Sequence, residues 1–134
     1  MRALLDTSLL VPMSEPGQTP PDLTDVDDVL VSALSFAELA IGIHAATTVT
    51  VLRHRSVRLT ALRQLFGQGL AFDETCVRAY ERILAHLADA GADVKARRFD
   101  RLIAATALAH DATLVTSNAE HVANLAPLID IAVR

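Results

Sequence analysis

The sequence has a single cysteine, Cys76, so no internal disulfide can form. Disulfide-rich scaffolds are therefore excluded, and a reduced compartment is the expected setting. Tryptophan is missing, aromatics make up only 4% of the 134 residues, and Lys95 is the sole lysine. Broad aromatic platforms for stacking ligands are accordingly scarce. No run approaches the roughly 20 apolar residues needed to cross a bilayer. The longest, Leu102–Ala109, is about two helical turns. At the start of the chain Asp6 interrupts Met1–Leu5 before a signal-peptide core can form, so a soluble cytoplasmic protein is expected. Neither G-x-x-x-x-G-K nor G-x-G-x-x-G occurs, which removes phosphate-loop and dinucleotide fingerprints. The five histidines show no H-E-x-x-H or His–Cys spacing, so zinc chemistry is not indicated.

Apolar residues make up 51% of the chain, enough to build a core, and the length suits one domain over 1–134. The net charge of -4 argues against bulk attraction to nucleic acid, but its distribution is uneven. Between Glu38 and Asp73 there is no acid, whereas Arg53, Arg55, Arg58 and Arg63 all fall there. Lys95, Arg97, Arg98 and Arg101 form a second basic cluster. Either run reads as a solvated helix face or loop, or as a grip on phosphates.

The pattern of elements is α/β. Short apolar runs at Arg2–Leu5, Asp28–Leu34, Gly69–Phe72, Thr113–Val115 and Ile129–Val133 read as five strands. Between them, helical spacing predicts helices over Thr7–Met13, from Ser35 to about His44, over Thr48–Phe66, from about Val77 to Gly91, and over Arg98–His110. Buried strands alternating with helices predict a parallel sheet covered on both faces. Ligands in such folds bind beyond the carboxyl ends of the strands.

Asp6 ends the first strand, and Thr116–Glu120 follows the fourth. Glu38 is the only acid in an otherwise apolar helix, and Asp100 opens the all-apolar one. Each has a local explanation. Asp6 can cap the first helix, Ser35-x-x-Glu38 and Ser117-x-x-Glu120 fit capping boxes, and Asp100 suits a helix N-terminus or pairs with Arg97 or Arg101. Capping does not explain why the acids gather at one edge. Carboxylates converging in a crevice repel one another unless a divalent cation neutralises them, and oxygen ligands suit magnesium or manganese. The matching chemistry is metal-assisted attack of water on a phosphodiester.

With Ala3-Leu4-Leu5-Asp6-Thr7-Ser8, Ser35-Phe36-Ala37-Glu38-Leu39 plus Gly42, Arg98-Phe99-Asp100-Arg101-Leu102-Ile103-Ala104-Ala105-Thr106-Ala107 and Leu114-Val115-Thr116-Ser117-Asn118 in this order, the chain resembles PIN-domain nucleases of the VapC toxin type. The resemblance implies a three-layer fold with a five-stranded parallel sheet and Mg2+- or Mn2+-dependent endoribonuclease activity on structured RNA such as tRNA or rRNA. It also implies inhibition of translation and growth, relieved by a cognate VapB-type antitoxin, and a homodimer is expected. Asp6, Glu38 and Asp100 then match the family's acidic metal site, with Thr7, Ser8 and Thr116 orienting ligands or phosphate. Arg98 is expected to hold substrate or a neighbouring carboxylate, and Arg53, Arg55, Arg58 and Arg63, or Arg97 and Arg98, to grip RNA phosphates away from the reacting bond. At the fourth acidic position this sequence departs from the family, leaving Asn118, Glu120 or His121 to complete the site. Two rivals remain: a non-catalytic module of the same fold, and a phosphatase with Asp6 as nucleophile.

Overall fold

A computed structural model describes residues 1–134. The order is β1 (Arg2–Leu5), α1 (Thr7–Ser14), β2 (Asp28–Val31), α2 (Ala33–His44), α3 (Val49–Phe66), α4 (Glu74–Asp89), α5 (Arg98–Ala109), β3 (Thr113–Thr116) and β4 (Ile131–Val133). Two short 3-10 turns, Ala119–His121 and Ala123–Leu125, link β3 to β4. The four strands form one sheet in the order β2-β1-β3-β4, with every pairing parallel.

The period-two alternation of strands divides the core. Leu4 and Leu114 point to the side covered by α4 and α5, where they meet Ile83, Leu87 and Ile103. Ala3, Leu5 and Val115 point to the other, where they meet Leu9 and Leu10 of α1, Phe36 of α2 and Leu62 of α3. This is the expected three-layer α/β arrangement. Cys76 is buried, as its place on an apolar helical stripe suggests.

The sheet has four strands, not five. The segment expected to be the third strand, Gly69–Phe72, contributes one parallel bridge, Ser32 to Leu70. Leu70 donates to Val31 O at 2.8 Å and accepts from Ala33 N at 2.9 Å. Pairing stops there because the partner leaves the sheet: β2 ends at Val31, and α2 begins at Ala33. Gly69 permits the contact, since a Cβ at this position would lie 2.4 Å from Ala33 N.

The same turn shifts the start of α2. Ser32, not Ser35, caps the helix, accepting from Leu34 N at 3.0 Å. Elsewhere the boundaries move by one to three residues, with α4 starting at Glu74 and β2 ending at Val31. Thr48 caps α3, and Asp73 caps α4 by accepting from Cys76 N at 3.1 Å. No helix is long and apolar enough to cross a membrane.

Candidate active site

Parallel strands deliver their carboxyl ends to one edge, and the polar residues gather there. Asp6 leaves β1 and caps α1, its Oδ1 accepting from Thr7 N at 2.8 Å. Its Oδ2 accepts from Ser8 Oγ at 2.9 Å and from Thr116 Oγ1 at 2.8 Å. Thr116 ends β3, so two neighbouring strands fix this carboxylate. Asp6 therefore caps a helix and faces the crevice at once. These donors orient the carboxylate and leave Oδ1 a further lone pair toward the crevice. The lone lysine stands in the turn at Asp93–Lys95, outside the cleft, which weakens the phosphatase reading.

Glu38 lies in the second turn of α2. Because Ser32 provides the cap, the Ser35 capping box does not form, and the Glu38 side chain lines the cleft instead. Ser35 is buried and accepts a hydrogen bond from Thr7 Oγ1 at 3.1 Å, which ties α2 to α1. Asp100 comes from the first turn of α5. Together Asp6, Glu38 and Asp100 line a cleft of about 380 Å3, with Thr7, Ser8 and Asn118 beside them.

The electrostatics are those of crowded acids. Partial burial is the largest influence raising the Glu38 pKa; a Thr7 hydrogen bond opposes it, and the negative charges of Asp100 and Asp6 add to it. Burial also leads in raising the Asp100 pKa, followed by the charge of Asp6. His121, Arg97 and Arg101 pull the other way. His121 Nδ1 stands 3.7 Å from Asp100 Oδ2, and Arg97 Nη1 stands 3.9 Å from the same oxygen.

No three of the His, Cys, Asp and Glu side chains form a ready-made metal cage. The donor set instead suits an open site, because magnesium commonly takes one or two carboxylates and completes its shell with water and phosphate. Glu38 and Asp100, both raised by burial and by neighbouring negative charge in the shared cleft, are what such a cation relieves.

The contenders for the fourth position separate. Asn118 and His121 line the cleft, whereas Glu120 does not; its side chain is 75% exposed and reaches only His121 Nε2, at 3.9 Å. The second capping box is also unformed, as the turn at Ala119 has no side-chain cap. Asn118 is held by its backbone, its N–H donating to Thr116 Oγ1 at 3.0 Å.

The basic residues divide between the cleft and the surface. Arg97 lines the cleft, whereas Arg98 is exposed outside it. Arg97 precedes α5 with a left-handed backbone (φ 50°), and this turn rather than helical phase brings its guanidinium to Asp100. On α3, Arg55 donates to Gly42 O at 2.5 Å, Arg58 pairs with Glu15 at 3.3 Å, and Arg63 lies over the Phe36 ring at 4.8 Å. Those three hold α3 against its neighbours, while Arg53 is exposed; neither Arg53 nor Arg55 lines the cleft.

Comparison with known proteins agrees with this geometry. Ribonuclease VapC5 of Mycobacterium tuberculosis is 28% identical over 115 residues, covering 86% of this chain and 82% of that protein. The solved structure of VapBC-5 from the same organism superposes with a TM-score of 0.76 at 25% identity, covering 99% of this chain and 98% of that one. FitAcB from Neisseria gonorrhoeae gives a TM-score of 0.75 at 27% identity, covering 96% and 95% of the two chains. The model of the PIN domain matches residues 3–126. With that match spanning nearly all of a fold whose acids meet at one sheet edge, the chain belongs to the PIN-domain family.

Proposed function

We propose that this chain is a metal-dependent endoribonuclease of the VapC type, acting as the toxin of a type II toxin–antitoxin pair. The observation that carries the reading is the meeting of Asp6, Glu38 and Asp100, from β1, α2 and α5, in one cleft with Asn118 beside them. Asp6 and Asp100 would hold a magnesium or manganese ion, which would supply positive charge beside a phosphodiester and make a nearby water more acidic. Around it, Ser8 and Thr116 keep the Asp6 carboxylate oriented through their hydroxyl donors. Glu38 positions the attacking water, and its raised pKa suits it to share a proton with that water. Asn118 offers an amide to a phosphate oxygen, and Arg97, beside Asp100, balances substrate charge. In-line attack leaves a 5'-phosphate and a 3'-hydroxyl.

Single-stranded loops of structured RNA, such as tRNA or rRNA, are the proposed targets, since an A-form duplex hides its base edges. Cleavage there would stop translation and growth. The relatives' structures named VapBC-5 and FitAcB support a VapB-type partner. Two features of this chain agree with it. Ile41, Val49, Val57 and Leu65 on α2 and α3 are each more than half exposed, a surface suited to a partner helix or a second copy. A cleft of several acids also invites an arginine from a partner, which would take the ion's place as counter-charge.

The test compares wild type with Asp6→Asn on a pool of cellular RNA, first with magnesium and then with chelator. Discrete, metal-dependent cuts made only by wild type are expected. Equal cutting by both proteins overturns the assignment, and metal binding without any cut favours the non-catalytic module.

A further inference from the structure

A second hollow opens beside the cleft, with a volume of about 550 Å3, within the range of small-ligand sites. Its walls come from α1, the 18–22 segment, Ser117 and Arg134. Ser8 and Val11 line both hollows, so a chain passing the reacting phosphate has a direct way from one into the other.

Arg134 determines what this hollow accepts. Its Nε donates to Asp22 O at 3.1 Å, its Nη1 to Val133 O at 3.2 Å and its Nη2 to Asp25 Oδ2 at 2.7 Å. All three guanidinium nitrogens are engaged along the edge, which holds the group in one plane and leaves its faces for contact. Asp22 and Asp25 stand beside it, so a second phosphate is repelled while a neutral base is not. Pro20 and Pro21 supply a rigid apolar wall. No aromatic side chain lines either hollow. Unstacked RNA bases rest on aromatic rings or on guanidinium planes, and here only the latter is present.

Building on the ribonuclease reading, we propose that this hollow is a base-binding subsite next to the scissile phosphate, in which Arg134 is the stacking platform. It holds one unpaired nucleobase flanking the cut and thereby selects where the RNA is cleaved.

The test uses a single-stranded RNA oligonucleotide that the wild type cuts with magnesium. 2-Aminopurine is then placed in turn at each position around that cut, and fluorescence is read with chelator present. Wild type is expected to change the signal at one flanking position. Arg134→Lys, which keeps charge but loses the plane, and Arg134→Ala are expected to abolish that change, with binding about tenfold weaker, the size of one lost stacking contact. Thermal melting checks that both remain folded. Thr19→Leu, which crowds the hollow without adding a stacking surface or altering the partners of Arg134, is expected to weaken the same signal. If Arg134→Lys or Thr19→Leu retains the wild-type signal and cut site, the subsite is overturned while the nuclease reading stands. If wild type cuts no RNA, both fall.

Discussion

The core on one face of the sheet and the cleft at its carboxyl edge are built to opposite rules. Toward α4 and α5, Leu4, Ile83, Leu87, Ile103 and Leu114 are almost wholly buried against one another, and each side chain gains from its neighbours. At the carboxyl edge, partial burial leads in penalising the charges of Glu38 and Asp100, and the negative charge of Asp6 adds to it. The first region is explained by folding alone. The second is retained against folding, and groups held in that way mark functional sites. Substitutions should therefore affect stability in one region and activity in the other.

Ile83→Ala should give the largest effect on stability. It empties a fully buried site and is expected to cost about 2–5 kcal/mol, read by denaturant unfolding, with activity per folded molecule unchanged. Asp100→Asn should show the reverse. Removing a charge that burial and Asp6 oppose is expected to leave the melting temperature equal or higher, while RNA cleavage falls by at least about a hundredfold. A large loss of stability in this variant would erase the contrast.

Smaller effects sharpen it at the periphery. Asp73→Ala removes the cap of α4, far from the cleft, and should cost about 1 kcal/mol without altering cleavage. Glu15 provides the weakest test. Hydrogen bonding to His54 leads in lowering its pKa, with Arg58 adding to it. A carboxyl lowered on folding stabilises above its unfolded pKa and ceases to do so as pH falls through the folded one. Glu15→Gln should thus melt slightly below wild type at neutral pH and level with it in strong acid.

Much of this was legible in the residues. Asp6 after an apolar strand, the unbroken apolar interior of α5, and Thr116 ending β3 each marked both element and edge. What misled was local ambiguity. Ser32 and Ser35 can each cap a helix, and only the bridge to Leu70 decides for Ser32 and so exposes Glu38 to the cleft. The strand expected at Gly69–Phe72 stops at this single bridge because β2 turns into α2, a consequence of long-range pairing that no window of sequence contains. Arg97 reaches the cleft through a left-handed residue before α5, and Asn118 and His121 reach it ahead of Glu120 through an irregular turn, so neither placement had a periodicity to read.

Asparagine caps a helix about as well as aspartate, so Asp6→Asn removes the charge and keeps the fold. Calorimetric titration of manganese into wild type and into this variant, without RNA, tests most directly whether the crowded carboxylates form a cation site. Saturable binding by wild type that is abolished in Asp6→Asn is the predicted result, and equal binding by the two proteins would contradict the account.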